Sequence, residues 1–285
     1  MSECNHDCEN CENRCDQECS HDCANCDGNC DHKIVKATPL SGVKIKKVIG
    51  ILSGKGGVGK STVSSLLAVE LAKKGYKVGI MDADITGPSM QKVFNVNEPL
   101  GGDQLGIFPY ETGLGIKIVS INMMLETEDT PVLWRGPIIG GVVTQFYDEV
   151  HWGELDYLLI DMPPGTSDVA ITVLQTIPVD GLIMVTSPSK LVGMIVGKTI
   201  NLARAVNTEV IGLVENMAYV KCPNCNEMIK LYRNDDTDDT AAKYDLKILA
   251  RVPIDPELSN LMDEGEVEQY AGDYLKGVVE EITQE

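Results

Sequence analysis

The sequence predicts an α/β fold in which helices cover both faces of a mostly parallel sheet, preceded by a cysteine-rich tail that lacks a core of its own. Three observations lead to this prediction. Short apolar runs alternate with helical stretches from residue 47 onward, a glycine-rich segment follows the first run, and eight of the ten cysteines lie within the first 30 residues. Apolar runs that alternate with helices are typical of parallel strands buried on both faces.

Seven apolar runs are expected to form strands, and at least three helices lie between or after them. The runs are KVIGILSG (47–54), KVGIMDAD (77–84), GIKIVSI (115–121), DYLLIDMP (156–163), DGLIMVTSP (180–188), EVIGLVENM (209–217) and ILARVPID (248–255). The helices are expected at 61–74, 189–206 and 266–282. Ligands of such folds bind at the carboxyl ends of the strands, and the polar motifs of this chain follow the apolar runs directly.

The charge balance limits the classes of partner. The chain has 24 Lys and Arg residues against 43 Asp and Glu residues, a net charge of −19. Such acidity argues against nucleic acid or an anionic membrane as the main partner. No apolar run reaches the roughly 18 residues that cross a bilayer, and the first residues do not have the pattern of a secretory signal. We therefore expect a cytoplasmic protein, whose cysteines are reduced and serve metal or redox chemistry.

The tail, residues 1–32, consists of two CxxxCxxCxxxC repeats with scarcely an apolar residue between the cysteines. A linker is expected at 33–46, and the α/β domain at 47–285. Four thiolates per repeat suit one 4Fe–4S cluster or one zinc ion, and a tail that holds several metals loosely is a third interpretation. The tail cysteines are Cys4, Cys8, Cys11, Cys15, Cys19, Cys23, Cys26 and Cys30.

The segment GKGGVGKST (54–62) lies between a strand pattern and a helix pattern, which is the setting of a phosphate-binding loop. Its glycines allow the sharp turn that aims backbone N–H groups at phosphate oxygens. A lysine near its end reaches the β- and γ-phosphates, and the following serine binds Mg²⁺. The residues expected to hold ATP are Gly54, Lys55, Gly56, Gly57, Val58, Gly59, Lys60, Ser61 and Thr62.

Carboxylates follow two other strand patterns. Asp82 and Asp84 end the second run, and Asp161 ends the run DYLLIDMP. Phosphoryl transfer requires Mg²⁺ beside the β- and γ-phosphates and a water molecule in line with the bond that breaks. We expect Asp161 to bind the magnesium ion through a water molecule.

The additional lysine of the loop, Lys55, makes KGGVGKST resemble the phosphate loop of the MinD-type ATPases. The resemblance implies that Lys55 reaches the nucleotide of a second subunit, so that the protein acts as a homodimer. It also implies that Asp84 positions the attacking water and that Asp82 supports the magnesium shell. By the same resemblance, Gly165 senses the γ-phosphate and Asn216 lies beside the adenine.

Five motifs together resemble the Mrp-type iron–sulfur cluster carrier ATPases. They are GKGGVGKST, DADITGPS (82–89), WRGP (134–137), DMPPGTSD (161–168) and ENMAYVKCPNC (215–225). The resemblance implies that Cys222 and Cys225 meet their copies in a homodimer and hold one bridging 4Fe–4S cluster, since such a cluster takes four thiolates and two-fold symmetry doubles two cysteines. A zinc site across the same dimer, a redox dithiol and half of a zinc knuckle are the alternatives.

The function implied is an ATP-dependent carrier that hydrolyses ATP slowly and passes its cluster to apo iron–sulfur proteins, with an upstream scaffold as a further partner. The alternative is a MinD-type ATPase switch with a structural zinc site, which positions a macromolecular partner. MinD-type proteins typically end in a basic amphipathic helix that binds membranes. The last 20 residues of this chain are acidic, with Lys276 their only basic residue, and this favours the carrier.

Overall fold

The computed structural model describes residues 36–84, 87, 89–124, 136–188, 190–222, 224–232 and 237–284. The twelve strands of this part of the chain are β1 Lys44–Ser53, β2 Val78–Asp82, β3 Gly101–Gly102, β4 Ile107–Phe108, β5 Tyr110–Glu111, β6 Lys117–Ser120, β7 Glu154–Asp161, β8 Gly181–Thr186, β9 Val210–Glu215, β10 Val220–Lys221, β11 Met228–Ile229 and β12 Ile248–Arg251. The α-helices are α1 Lys60–Lys73, α2 Met90–Val93, α3 Gly136–Asp148, α4 Asp168–Thr176, α5 Lys190–Ala205, α6 Thr237–Tyr244, α7 Pro256–Glu264 and α8 Lys276–Thr283. All seven predicted strands are present.

Eight strands form the main sheet, in the order β12-β9-β8-β1-β7-β2-β6-β5. All neighbours are parallel except β5, which pairs antiparallel with β6 at the edge. The central strand β1 pairs with β7 on one side and β8 on the other, so the carboxyl ends of these three strands lie side by side. The prediction of a mostly parallel sheet is confirmed.

Two apolar cores lie on opposite faces of the sheet, because the buried strands send alternate side chains to each face. One core includes Leu66 and Leu67 of α1 with Ile51 of β1, and the other includes Phe146 of α3 with Leu52 of β1. Each core is therefore covered by helices, as the alternating sequence pattern predicts. Among the described helices, none is long and apolar enough to cross a membrane.

The domain begins earlier than predicted. Strand β1 starts at Lys44, and its register with β7 begins there, so residues 44–46 belong to the sheet rather than to a linker. Further upstream, the Lys36 ammonium donates to the carbonyls of Leu174 and Ile177 at the end of α4. These contacts satisfy helix-terminal carbonyls that have no partner within the helix. The predicted tail, residues 1–32, lies outside the described residues.

The predicted helix at 266–282 is wrong in its first half. A short 3-10 turn covers Val267–Gln269, and α8 starts only at Lys276. Between them, the Leu275 N–H donates to the Glu70 carboxylate at 2.9 Å rather than to a helical carbonyl. The hydroxyl of Tyr270 bonds Asp255, so tertiary contacts replace the helical hydrogen bonds here.

Candidate functional site

A cavity of about 290 Å³ opens at the carboxyl ends of β1 and β2 and at the amino end of α1. This is the edge of a parallel sheet where ligands of such folds bind. Its walls are mostly the residues that the motifs single out, with a small apolar side formed by Val93 and Met262. The lining residues are Ser53, Gly56, Gly57, Gly59, Lys60, Ser61, Thr62, Asp84, Gly87, Ser89, Val93, Pro164 and Met262.

The glycines of the phosphate loop are required by backbone shape and by close packing. Gly57 and Gly59 both have φ of 78°, in the left-handed region that favours glycine. A Cβ atom at Gly54 would lie 2.9 Å from the backbone nitrogen of Val196 in α5. Gly59 immediately precedes α1, so the loop lies at the N-terminus of this helix. The positive end of the helix dipole is there, and it attracts anions.

Lys60 joins the loop to the two carboxylates predicted to serve catalysis. Its ammonium lies 2.8 Å from Asp161 Oδ2 and 3.6 Å from Asp84 Oδ2, and its side chain is 6% exposed. Despite the short ion-pair distance, the ammonium makes no well-directed hydrogen bond to any described residue. The Ser61 hydroxyl donates to the same Asp161 oxygen at 2.7 Å. The structure thus brings together Lys60, Ser61, Asp84 and Asp161.

Sequence reasoning missed Ser64. Its hydroxyl donates to Asp161 Oδ1 at 2.6 Å, so that both oxygens of the buried carboxylate accept a serine hydroxyl. Ser64 follows Ser61 by three residues in α1, a spacing that places both hydroxyls on one helix face. That spacing in KSTVSS is the signal that would have identified it.

Asp82 lies behind the cavity rather than in its wall. It is fully buried and accepts hydrogen bonds from the N–H groups of Asp84, Ser89 and Met90 and from the Ser120 hydroxyl. Burial and the neighbouring negative charge of Asp161 raise the pKa of Asp82 to about 7. In this structure Asp82 fixes the segment that carries Asp84, and its part in the magnesium shell remains a prediction.

Asn216 lies under the phosphate loop. Its Nδ2 donates to the carbonyl oxygen of Val58 at 3.0 Å, and its side chain is 3% exposed. A Cβ atom at Gly59 would overlap this amide. The structure therefore gives Asn216 a supporting contact that the sequence did not predict, while its contact with adenine remains a prediction.

Lys55 and Gly165, two further residues predicted from the sequence, lie in different environments. Lys55 is exposed, so its side chain is available to a second molecule. Gly165 has φ of 76°, and its N–H donates to the Ser53 carbonyl at 2.7 Å, which ties the segment after β7 to the start of the loop. The roles inferred for both from the MinD-type resemblance remain predictions.

Cys222 and Cys225 lie in the turn of a small hairpin. Strands β10 and β11 pair antiparallel, with Lys221 opposite Met228. Within the turn, the Cys222 N–H donates to the Glu227 carbonyl and the Asn226 N–H donates to the Cys222 carbonyl, both at 2.9 Å. Asn226 has φ of 61°, a left-handed conformation that asparagine tolerates and that reverses the chain. The turn thus brings both cysteines to the surface.

The hairpin favours the thiolate that a metal requires. Backbone N–H groups of Cys225 and Asn224 and the Cys225 thiol lower the pKa of Cys222. Within the described residues no three metal-binding side chains come together, so Cys222 and Cys225 supply two ligands only. A tetrahedral metal or a 4Fe–4S cluster needs four. A metal or cluster held by this pair would need further ligands, from another molecule or from residues outside the described ranges.

The residues that line the cavity are suited to binding a nucleoside triphosphate with Mg²⁺. Among the described residues, the buried Lys60 ammonium has no directed hydrogen bond, so it is suited to a phosphate oxygen. The turning glycines of the loop are suited to the same oxygens. The Ser61 hydroxyl and the Asp161 carboxylate are hard oxygen donors, which Mg²⁺ prefers. The donor set of the hairpin is instead soft sulfur, which suits iron–sulfur clusters or zinc.

Known proteins similar to this chain include P-loop NTPases and iron–sulfur cluster carrier proteins. The family model "NUBPL iron-transfer P-loop NTPase" matches residues 44–285. An iron-sulfur cluster carrier protein of Clostridium perfringens is 46% identical over 237 residues, covering 80% of this chain and 83% of that protein. The cytosolic Fe-S cluster assembly factor NUBP2 homolog of Dictyostelium discoideum is 42% identical, covering 78% and 86%.

Solved structures are similar in the same region. A nucleotide-binding protein from Archaeoglobus fulgidus in complex with ADP is 43% identical, with a TM-score of 0.73 over 81% of this chain and 91% of that one. The cell division ATPase MinD of Pyrococcus furiosus, at 22% identity and a TM-score of 0.60, covers 83% of this chain and 98% of its own and shares the fold. The chain therefore belongs to the iron–sulfur cluster carrier family of P-loop NTPases.

Proposed function

We propose that this protein is an ATP-dependent iron–sulfur cluster carrier that holds one 4Fe–4S cluster between two copies of itself and transfers it to apoproteins. The observation that carries the proposal is the hairpin that holds two free cysteines, the half-buried Cys222 and the exposed Cys225. With no third metal-binding side chain beside them among the described residues, they could supply two of four ligands. Two copies related by a two-fold axis would supply four thiolates, the number that a 4Fe–4S cluster binds. Family membership supports the choice of a cluster as cargo.

The nucleotide half of the proposal rests on the cavity at the end of β1. Bound Mg²⁺ would neutralise charge on the phosphates, and Ser61 and Asp161 are the residues that would hold it. Lys60, already 2.8 Å from Asp161, supplies the positive charge beside the β- and γ-phosphates. Asp84 at the cavity wall accepts a hydrogen bond from the attacking water and orients it. Hydrolysis is slow, as suits a switch.

The homodimer is supported by the position of Lys55 on the exposed side of the loop, from which its ammonium can reach a nucleotide in a second subunit. Exposed apolar side chains beside the cysteine hairpin support it too. Met228 is 65% exposed and Leu231 is 52% exposed, and a subunit contact would remove both from water. ATP binding would bring the two hairpins together, and the nucleotide state would set how firmly the cluster is held.

The proposed partners are apo iron–sulfur proteins as recipients and a scaffold that supplies the cluster. The proposed place of action is the cytosol, because the Dictyostelium relative is by name a cytosolic assembly factor. The net charge of −19 supports the expectation that neither nucleic acid nor an anionic membrane is a partner. The tail cysteines at 4–30 are proposed to hold further clusters or metal ions.

The test is to measure iron, acid-labile sulfide and zinc in protein purified without oxygen. To isolate the hairpin, the eight tail cysteines are replaced by serine in the full-length chain. One 4Fe–4S cluster shared by two chains predicts about two irons and two sulfides per chain. The further change Cys222→Ala/Cys225→Ala should remove both, with secondary structure unchanged by circular dichroism.

Zinc without sulfide, at about half an atom per chain, would overturn the carrier proposal. It would favour an ATPase switch with a structural zinc bridge, a function for which the cavity would still serve. Iron and sulfide that survive Cys222→Ala/Cys225→Ala would place the cluster on other residues. Transfer itself is tested by adding a loaded sample to an apo-ferredoxin and following recovery of its visible absorbance.

A further inference from the structure

A short segment, residues 216–222, runs from the phosphate loop to the cysteine hairpin. At its start, Asn216 donates its side-chain amide to the Val58 carbonyl at 3.0 Å and is 3% exposed. At its end lies Cys222, only six residues further along the chain. The two proposed binding sites are thus joined by one stretch of backbone.

The bond from Asn216 reaches the loop at a peptide group that also faces the cavity. The Val58 carbonyl and the Gly59 N–H belong to the same planar trans peptide unit, in which the two groups point in opposite directions. Since Asn216 holds the carbonyl side, the N–H side of this unit points away from Asn216, and Gly59 lines the cavity. A phosphate that binds the Gly59 N–H would therefore shift the same peptide unit whose carbonyl accepts the hydrogen bond from Asn216.

The segment after Asn216 is held in place by its backbone conformation and by hydrogen bonds. Met217 has φ of 57°, which is uncommon for a residue with a side chain and is kept only where the surroundings impose it. The Ala218 N–H donates to the Val252 carbonyl at 2.9 Å, and the Ile254 N–H donates to the Tyr219 carbonyl at 2.8 Å. A displacement at Asn216 would therefore be transmitted along the segment rather than absorbed in a loose loop.

The cysteine hairpin at the end of this segment is the part most easily moved. Strands β10 and β11 have two residues each, and their exposed residues include Met228 at 65% and Ile229 at 47%. Elements with few buried contacts open at low free-energy cost. A small shift of the segment would accordingly change the exposure of Cys222 and Cys225 more than it changes the main sheet.

We propose that Asn216 is a positioning residue that transmits nucleotide occupancy of the phosphate loop to Cys222 and Cys225. Bound nucleotide changes the accessibility of the two thiols in one subunit and, through it, their hold on a cluster. The consequence for the cluster rests on the proposed function. The response of the thiols does not, because it is measured on protein that contains no cluster.

The test measures alkylation of the hairpin by iodoacetamide in metal-free protein, with and without a non-hydrolysable ATP analogue and Mg²⁺. The protein is kept at a concentration at which it sediments as a monomer under both conditions, so that contact between two hairpins cannot shield the thiols. Trypsin cleaves after Lys221 and Lys230, which isolates both cysteines in one peptide, 222–230, apart from those of the tail. Mass spectrometry then gives the rate for this peptide alone. We expect nucleotide to change the rate by about fivefold or more, the lower end of ordinary coupling between sites.

Three variants separate transmission from binding. Asn216→Ala removes the bond to Val58, and Met217→Gly loosens the segment without touching the cavity, which Met217 does not line. Asn201→Ala, on the exposed side of α5, is the matched control. Nucleotide binding is measured by calorimetry and dimerisation by sedimentation velocity. Met217→Gly should lose the nucleotide response while it binds nucleotide like the parent. Asn216→Ala is measured at nucleotide concentrations raised until calorimetry shows the same occupancy as in the parent, and it should lose the response too, whereas the control should keep it.

Two results would overturn the proposal. One is an alkylation rate that nucleotide leaves unchanged in the parent protein. The other is a response that persists in both test variants when nucleotide is bound, which would mean that the response does not pass through Asn216 and the segment after it. If Asn216→Ala fails to bind nucleotide, Met217→Gly decides. Iron and sulfide content is measured separately, so a failed coupling leaves the carrier proposal standing, and the reverse is also true.

Discussion

The Lys60 ammonium lies 2.8 Å from Asp161 Oδ2, although the two residues are 101 positions apart and both side chains are almost fully buried. Burial of such an ion pair is costly unless further hydrogen bonds satisfy the charged groups. Here the hydroxyls of Ser61 and Ser64 provide those bonds to the carboxylate. The arrangement keeps a charged, oriented carboxylate beside the phosphate loop, and its consequences can be tested.

The first prediction concerns the contribution of Ser64. Ser64→Ala removes one charge-assisted hydrogen bond to Asp161, which is worth about 1.5 kcal/mol or more. If Asp161 holds Mg²⁺, the magnesium concentration for half-maximal ATP hydrolysis should rise about tenfold. The matched control is Ser65→Ala, because the Ser65 hydroxyl bonds only backbone carbonyls in the described structure. Equal effects of the two changes would contradict a role for Ser64 at the magnesium site.

The second prediction concerns the dimer. Lys55→Ala should leave ATP affinity within a few-fold of the parent, because Lys55 does not line the cavity of its own subunit. It should abolish the ATP-dependent dimer and, with it, most hydrolysis. Sedimentation velocity with a non-hydrolysable analogue is the measurement, and Lys74→Ala at the exposed end of α1 is the control. A Lys55→Ala protein that still dimerises with ATP would contradict the role inferred across the subunits.

The third prediction compares two glycines with the same backbone conformation. Gly57→Ala and Gly59→Ala both force alanine to φ of 78°, at about 1–2 kcal/mol each. Only at Gly59 does the new Cβ atom collide with Asn216. Thermal unfolding without nucleotide should therefore show a larger loss for Gly59→Ala. The double change Gly59→Ala/Asn216→Ala should cost less than the sum of the single changes, and strict additivity would refute the contact.

The fourth prediction is a dependence of stability on pH. Burial is the main cause that raises the pKa of Glu70 to about 7, from an ordinary value of 4.5. The folded state therefore binds this proton more tightly than the unfolded state, and the contribution of Glu70 to stability, complete below about pH 4.5, is lost as the pH rises to about 7. Glu70→Gln is neutral at every pH and still accepts the Leu275 N–H, so we expect it to be more stable than the parent at pH 8.

Urea unfolding at pH 5 and pH 8 is the measurement for Glu70→Gln. Its advantage over the parent should be larger at pH 8 than at pH 5. Glu264→Gln, at an exposed position of α7, is the control and should show no such change with pH. The same advantage at both values of pH would mean that Glu70 does not titrate between them in the folded protein.

Sequence reasoning succeeded where a few neighbouring residues decide the structure. The glycines of GKGGVGKST, the helix that follows and the apolar strands around Asp161 are fixed by local backbone preference and by burial on both faces of a sheet. It failed at 266–282, where the periodic pattern predicts a helix but the Leu275 N–H bonds Glu70, 205 positions away. A local pattern contains no information on such a distant acceptor.

The sequence by itself determined the parallel sheet, the phosphate loop and the pair of cysteines. Only the tertiary structure decided that Ser64 bonds Asp161, 97 positions away, and that Asn216 supports the loop from 158 positions away. Those contacts depend on the order of the strands, which brings β7 beside β1 and β9 beside β8. The apolar pattern of a strand does not indicate which strand will pair with it. Burial on both faces requires only apolar side chains, and the pairing of strands is decided when the whole chain packs.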